Sequence, residues 1–72
     1  MFDKNKFRVC LILKGKKVAD IADSLGINVT TLYRKINGES DFYRNEIQIL
    51  CEILDIENPA DVFFAEKVTK TQ

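Results

Sequence analysis

The stretch KVADIADSLGINVTTLYRKING, residues 17–38, decides how the rest of the chain is read. Val18, Ile21, Ala22 and Leu25 recur at the helical intervals i, i+3, i+4 and i+7, which predicts a helix over 17–25 with Asp20 and Asp23 pointing outward. Gly26 ends that helix in a left-handed conformation that a residue with a Cβ resists, and Ile27 follows as an apolar plug in the turn. Asn28 then caps a helix over 29–36 by accepting a first-turn N–H. Leu32 and Ile36 face inward on it; Thr30, Thr31, Tyr33, Arg34 and Lys35 are left for the outside. Ala22 is small where two helices cross, Gly26 turns the chain, and Leu32 is the buried aliphatic of the second helix. Two short helices joined at about 90–120° by a tight turn require those residue types at those intervals. Asn37-Gly38 closes the unit.

Upstream, Asp3 caps a helix over 4–14 that stops at Gly15, a natural residue for a helix C-terminus. Phe7, Cys10, Leu11 and Lys14 share a stripe, with Val9, Ile12 and Leu13 beside it, so this helix is more apolar than one buried face requires. Downstream, ESDFY is a connector with Phe42 as an anchor into the core. A helix over 44–54 places Ile47, Leu50, Cys51 and Leu54 on its core stripe and leaves Ile49 and Ile53 surplus. Asn58 as cap and Pro59 at the first helical position start a short fifth helix over 59–65, with Asp61 near its positive end. EKVTKTQ, 66–72, has no apolar period and is expected to fray. There is no internal repeat and no strand pattern. The chain therefore reads as all-α: a compact five-helix domain over 1–65 with a central helix-turn-helix at 17–38, and a flexible tail over 66–72.

Seventy-two residues make one domain, and a chain of this size buries only about 60% of its unfolded surface. There is no His, and Cys10 and Cys51 are isolated rather than paired as CxxC, so neither a zinc site nor a His-based triad can be assembled. No catalytic residue, metal, cofactor or small-molecule substrate is expected, and the two cysteines read as buried free thiols of a reducing compartment. No apolar run approaches the roughly 18 residues of a membrane span, and the N-terminus lacks the basic-then-apolar order of a signal peptide; the expected location is cytoplasmic. Net charge is zero, but it is divided unevenly. Residues 1–38 carry eight basic and three acidic side chains, a balance of +5, and residues 39–72 carry three and eight, a balance of −5. A basic half can face phosphate while the acidic half faces away; the same polarity also suits head-to-tail or hetero-association.

VADIADSLGINVTTLYRKING and EIQILCEILDIENPADVFF together resemble the Cro/CI-type helix-turn-helix proteins of temperate phages, over roughly residues 4–65. Within them the chain is most similar to short Cro-like proteins and to the modulator-of-repression (antirepressor) proteins encoded opposite a CI repressor in lactococcal phages. The resemblance implies a lambda-repressor-like DNA-binding domain acting in the lysis–lysogeny decision in the bacterial host's cytoplasm. It makes 29–36 the recognition helix. Val29, Thr30, Tyr33 and Arg34, with the cap Asn28, would meet base edges, adjacent backbone or a partner. Thr31 and Lys35 would lie near phosphates, and Lys16 and Lys17, at the start of the preceding helix, near the other strand's backbone.

The chain departs from that pattern where a reader of bases would be polar. Many family members carry Gln at the position of Val18, where it binds phosphate, and a polar side chain at the position of Val29, which here offers methyl contact alone. Lys35 stands where a buried aliphatic is common, and Ile36 takes over that role. Two mechanisms follow: an autonomous Cro-like repressor binding operator DNA, or a modulator that engages the DNA-binding face of a CI-type repressor. A homodimer fits either. A third reading, from a different class, is a helical interaction domain that never touches DNA. Tyr33 can stack on a partner or merely cover its helix, and Arg34 can contact DNA or pair with a nearby acid. Lys16 and Lys17 are phosphate contacts or a solvated loop. Ile49, Ile53, Phe63 and Phe64 form an association patch or complete the core.

Overall fold

Asp3 accepts a hydrogen bond from the Lys6 N–H at 3.0 Å, and with that cap the first helix, α1 (Lys4–Lys14), begins. The computed structural model describes residues 2–64, and the regular elements among them are all helical. After α1 come α2 (Val18–Leu25), α3 (Val29–Ile36), α4 (Arg44–Leu54) and α5 (Pro59–Phe63). The expected flexible tail over 66–72 lies outside the described residues, as does the last residue of the fifth helix expected to reach 65. Lys17, expected as the first residue of the second helix, is its N-cap, its N–H donating to the Asp20 carboxylate at 2.9 Å. No described helix is long and apolar enough to cross a membrane.

Gly26 adopts φ +71, and the Ile27 N–H returns to the Ala22 carbonyl at 3.1 Å, so α2 stops and the chain turns into α3. Asn28 caps α3 through its side-chain oxygen, which accepts from the Thr31 N–H at 2.9 Å. α3 packs principally against α2, which also contacts α4; α1 packs on α4 and α5. Phe7, Ile21, Leu32 and Leu50 are fully buried where these helices converge, and each such side chain contributes roughly 1.5–3 kcal/mol of burial. Phe42 anchors the α3–α4 connector as expected: it is half-buried among Phe2, Phe7 and Phe63, with ring centroids 4.9–6.4 Å away. The Asp3 N–H donates to the Val62 carbonyl at 2.6 Å and ties the N-terminal segment to α5.

Two expectations about side chains are corrected. Lys35 does not face outward near phosphate: it is 4% exposed, and its ammonium lies 3.1 Å from the Glu46 carboxylate, which is also 4% exposed. The ammonium also donates to the Asp41 carbonyl at 3.0 Å and sits 4.0 Å from the centre of the Tyr43 ring. The physical reason is that Leu32, Lys35 and Ile36 share the inner face of α3, so this side chain must find its partner inside. Cys10 and Cys51 are free, but half-buried rather than buried. Partial burial, and the neighbouring Glu52 charge after it, push the Cys51 thiol above its ordinary pKa, which disfavours the reactive thiolate. Of the two readings of Ile49, Ile53, Phe63 and Phe64, completion of the core holds for most of them: Phe63 is in the core, Ile53 packs on it, Ile49 is half-buried, and Phe64 alone is exposed.

α4 ends at Asp55, the one non-glycine among the described residues with positive φ, +55. Asp tolerates this left-handed cap better than most residues, and its carboxylate pairs with Lys14 at the end of α1. The hydrogen bond and charge of Lys14 hold the Asp55 carboxyl below its ordinary value of 3.8. The folded state therefore binds fewer protons there than the unfolded chain, so the pair's stabilisation is complete above pH 3.8 and is lost as pH falls through the lower folded value. Asp55→Asn keeps the left-handed cap and removes the charge; its unfolding midpoint in urea should fall less steeply below pH 4 than the wild type's. Lys35→Met should destabilise by about 3–5 kcal/mol in the same assay, because Glu46 is left buried and charged. Adding Glu46→Gln, which still accepts the Tyr43 N–H, should recover most of that loss.

Candidate functional site

With Leu32, Lys35 and Ile36 turned inward, α3 shows solvent the opposite face. Thr30, Tyr33 and Arg34 are exposed together on it, with Val29 exposed at the leading end and Thr31 half-buried at one edge. No acid among the described residues pairs with Arg34, so its guanidinium is available to a carbonyl edge, a phosphate or a partner carboxylate. Asn28 is exposed beside Val29, but its side-chain oxygen is committed to the Thr31 N–H, leaving its amide N–H₂ as the group free to donate. Lys16 and Lys17 are both exposed in the α1–α2 turn. Asp20 fixes the backbone of this turn by holding the Lys17 N–H, so both ammonium groups project from an ordered loop.

Of the nine residues expected at the site, α3 and its cap bring together Asn28, Val29, Thr30, Tyr33 and Arg34, with Thr31 at the margin. Lys16 and Lys17 stand on the adjoining turn, and Lys35 is withdrawn into the core. Three residues not expected at the site join them. Asn37 is exposed just past α3, seven residues after Thr30 and therefore on the same face, and the Lys4 ammonium donates to its side-chain oxygen at 3.2 Å. Arg8, one turn after Lys4, lines a cleft between α1 and α3 with Tyr33 and Asn37. The i, i+4 spacing of Lys4 and Arg8 was visible in the sequence, but their approach to α3 depends on how α1 packs. The result is a ridge of hydroxyl, phenol and methyl groups with Arg34 at its centre, bordered by Lys4 and Arg8 on α1; Val18, directly after the exposed Lys16 and Lys17, lines the same cleft as Tyr33.

Such a ridge has the dimensions of one short helix and turns hydroxyl, phenol and guanidinium donors outward together, which suits recognition of a surface. The family model for the Cro/C1-type HTH DNA-binding domain matches residues 6–67. Neither the comparison with curated proteins nor that with solved structures returned a match. The division between structural and exposed residues along 28–35 has a measurable consequence. Asn28→Ala should cost about 1 kcal/mol of unfolding free energy through the lost cap. Thr30→Ala and Arg34→Ala should each stay within about 0.5 kcal/mol of wild type, as exposed positions do.

Proposed function

The chain belongs to the Cro/C1-type HTH DNA-binding domain family, and from that premise we propose that it is a phage regulator of the lysis–lysogeny switch, acting through the α3 ridge on a partner CI-type repressor, on operator DNA, or on both together. The family is one of DNA-binding regulators of transcription, not of enzymes. The observation that carries the finer reading is the exposure of Val29 and Tyr33 beside Arg34. An apolar side chain at the leading end of the helix and an aromatic ring one turn on fit a protein surface better than the polar edges of base pairs. With Lys35 withdrawn, Arg34 is the one charged side chain α3 presents, and the net charge of zero adds little long-range attraction to DNA. The favoured mechanism is modulation: the ridge meets the repressor's own DNA-binding face, in the host cytoplasm, and blocks it or forms a joint complex on the operator.

The flanking charges support a second reading. Lys4 and Arg8 border the ridge and, with Lys16 and Lys17, could contact phosphates on either side of a groove, as an autonomous Cro-like repressor requires. That mechanism needs two copies on a two-fold site with half-sites about 34 Å apart.

Fluorescence anisotropy of labelled operator DNA, titrated with the chain alone and with a CI-type repressor present, distinguishes the two. Modulation predicts weak binding by the chain alone and a changed repressor signal when it is added. Val29→Asp should then weaken the effect on the repressor by at least about tenfold, as loss of a central apolar anchor does. Tight, salt-sensitive binding by the chain alone would replace modulation with the Cro-like reading, in which Arg34→Ala costs about 1–3 kcal/mol of sequence discrimination. No effect on the operator or on the repressor would leave the interaction-domain reading.

A further inference from the structure

The α3–α4 connector, α4 and α5 enclose an open groove that takes no residue from α3. Ile47, Cys51 and Ile56 are its half-buried floor. Arg44, Gln48 and Glu52 follow one another at one-turn intervals along its α4 rim. Among the described residues neither Arg44 nor Glu52 forms an ion pair, so the rim is cationic at one end, neutral in the middle and anionic at the other. α5 runs back along the groove. Pro59, its first residue, lines the groove with Ile56, just past the Glu52 end. Phe63, its last, has its ring centroid 5.4 Å from that of Phe42, two residues before Arg44. The chain therefore leaves α5 at the Arg44 end, through the exposed Phe64.

The sequence that follows, AEKVTKTQ, has no helical period but does have an extended one. Alternate residues of an extended segment share a face, so Glu66, Val68 and Lys70 line up as acid, aliphatic and base. In such a segment Glu66 and Lys70 are about 13 Å apart, at about 3.3 Å per residue. Arg44 and Glu52 are about 12 Å apart along α4, at about 1.5 Å per residue. We propose that residues 65–72 dock in this groove as an extended segment, running from the Arg44 end towards the Glu52 end with Ala65 as the turn out of α5. Glu66 faces Arg44, Val68 covers Ile47 and Cys51, and Lys70 faces Glu52. The reverse direction would set Glu66 against Glu52 and Lys70 against Arg44, so charge and the point of exit select the same arrangement. The groove and the α3 ridge share no residue, so the docking stands whatever the ridge binds.

Cys51, on the floor, reports the cover. The whole 72-residue chain is alkylated with iodoacetamide and each cysteine is followed by peptide mass spectrometry, every rate being divided by that of the same chain unfolded in urea. Cys10, in the separate cleft beside Leu13 and Leu54, is the internal control. Val68→Asp should speed Cys51 by at least about threefold, the ratio for a groove covered about two-thirds of the time, and leave Cys10 unchanged. Glu66→Arg should do the same by setting two cations together. Adding Arg44→Glu should restore the wild-type rate, because the pair is again opposite in sign. Arg44→Glu puts an acid in the first turn of α4, which favours the helix, so the double variant keeps its fold. Protection of Cys51 should be equal at micromolar and millimolar chain. Protection seen only at millimolar concentration would mean that a second copy covers the groove, and overturns the proposal. So does a Cys51 rate that Val68→Asp leaves unchanged, equal acceleration of both cysteines, or a double variant that stays fast.

Discussion

Lys35 carries its ammonium group into the interior, onto the Glu46 carboxylate, the Asp41 carbonyl and the face of Tyr43. A buried pair of this kind contributes little net stability beside an apolar pair of the same shape, but it has one geometry in which all its donors are used. Two of the partners lie in the α3–α4 connector and the third in the first turn of α4. The same Glu46 oxygen that meets Lys35 also accepts the Tyr43 N–H at 2.8 Å, so the start of α4 and the roll of α3 are fixed by one carboxylate. Turn α3 about its axis and the ammonium leaves its partners while Leu32 leaves the core. The exposure of Thr30, Tyr33 and Arg34 follows from that constraint.

Most of the fold was legible because its signals are local. Asp3, Asn28 and Asn58 each accept an N–H of the helix they precede, and Gly15 and Gly26 turn left-handed where the apolar period stops. The excess of apolar residues on α1 was legible too, and Val9, Ile12 and Leu13 are the ones left outside. Lys35 was misread because a lysine at the edge of an amphipathic helix is usually solvent-facing, and nothing local marks Glu46, eleven residues on, as its partner. Lys4, Arg8 and Asn37 were missed for the same reason: they meet through the packing of α1 beside α3. The spacing of Thr30 and Asn37, two helical turns, was the one signal that could have found Asn37.

The uneven charge of the two halves acquires a spatial meaning. Basic residues of α1 border the ridge at Lys4 and Arg8, while Lys6 and Lys14 of the same helix line a cleft with acids of the second half. α1 thus serves three neighbours at once: the core, the ridge and the α4–α5 turn. This accounts for a helix that has no single polar side.

The clasp between Asp3 and Val62, closed over by Phe2, Phe7, Phe42 and Phe63, bears on how the protein is made. Phe2 leaves the ribosome about sixty residues ahead of Phe63, and such a distant contact repays its loop-closure cost only when the later partner exists. A nascent chain carrying α1 to α3 holds a formed turn at Gly26 but an open aromatic corner. Completion of α5 is therefore the event that shelters the first phenylalanines from chaperones and from one another.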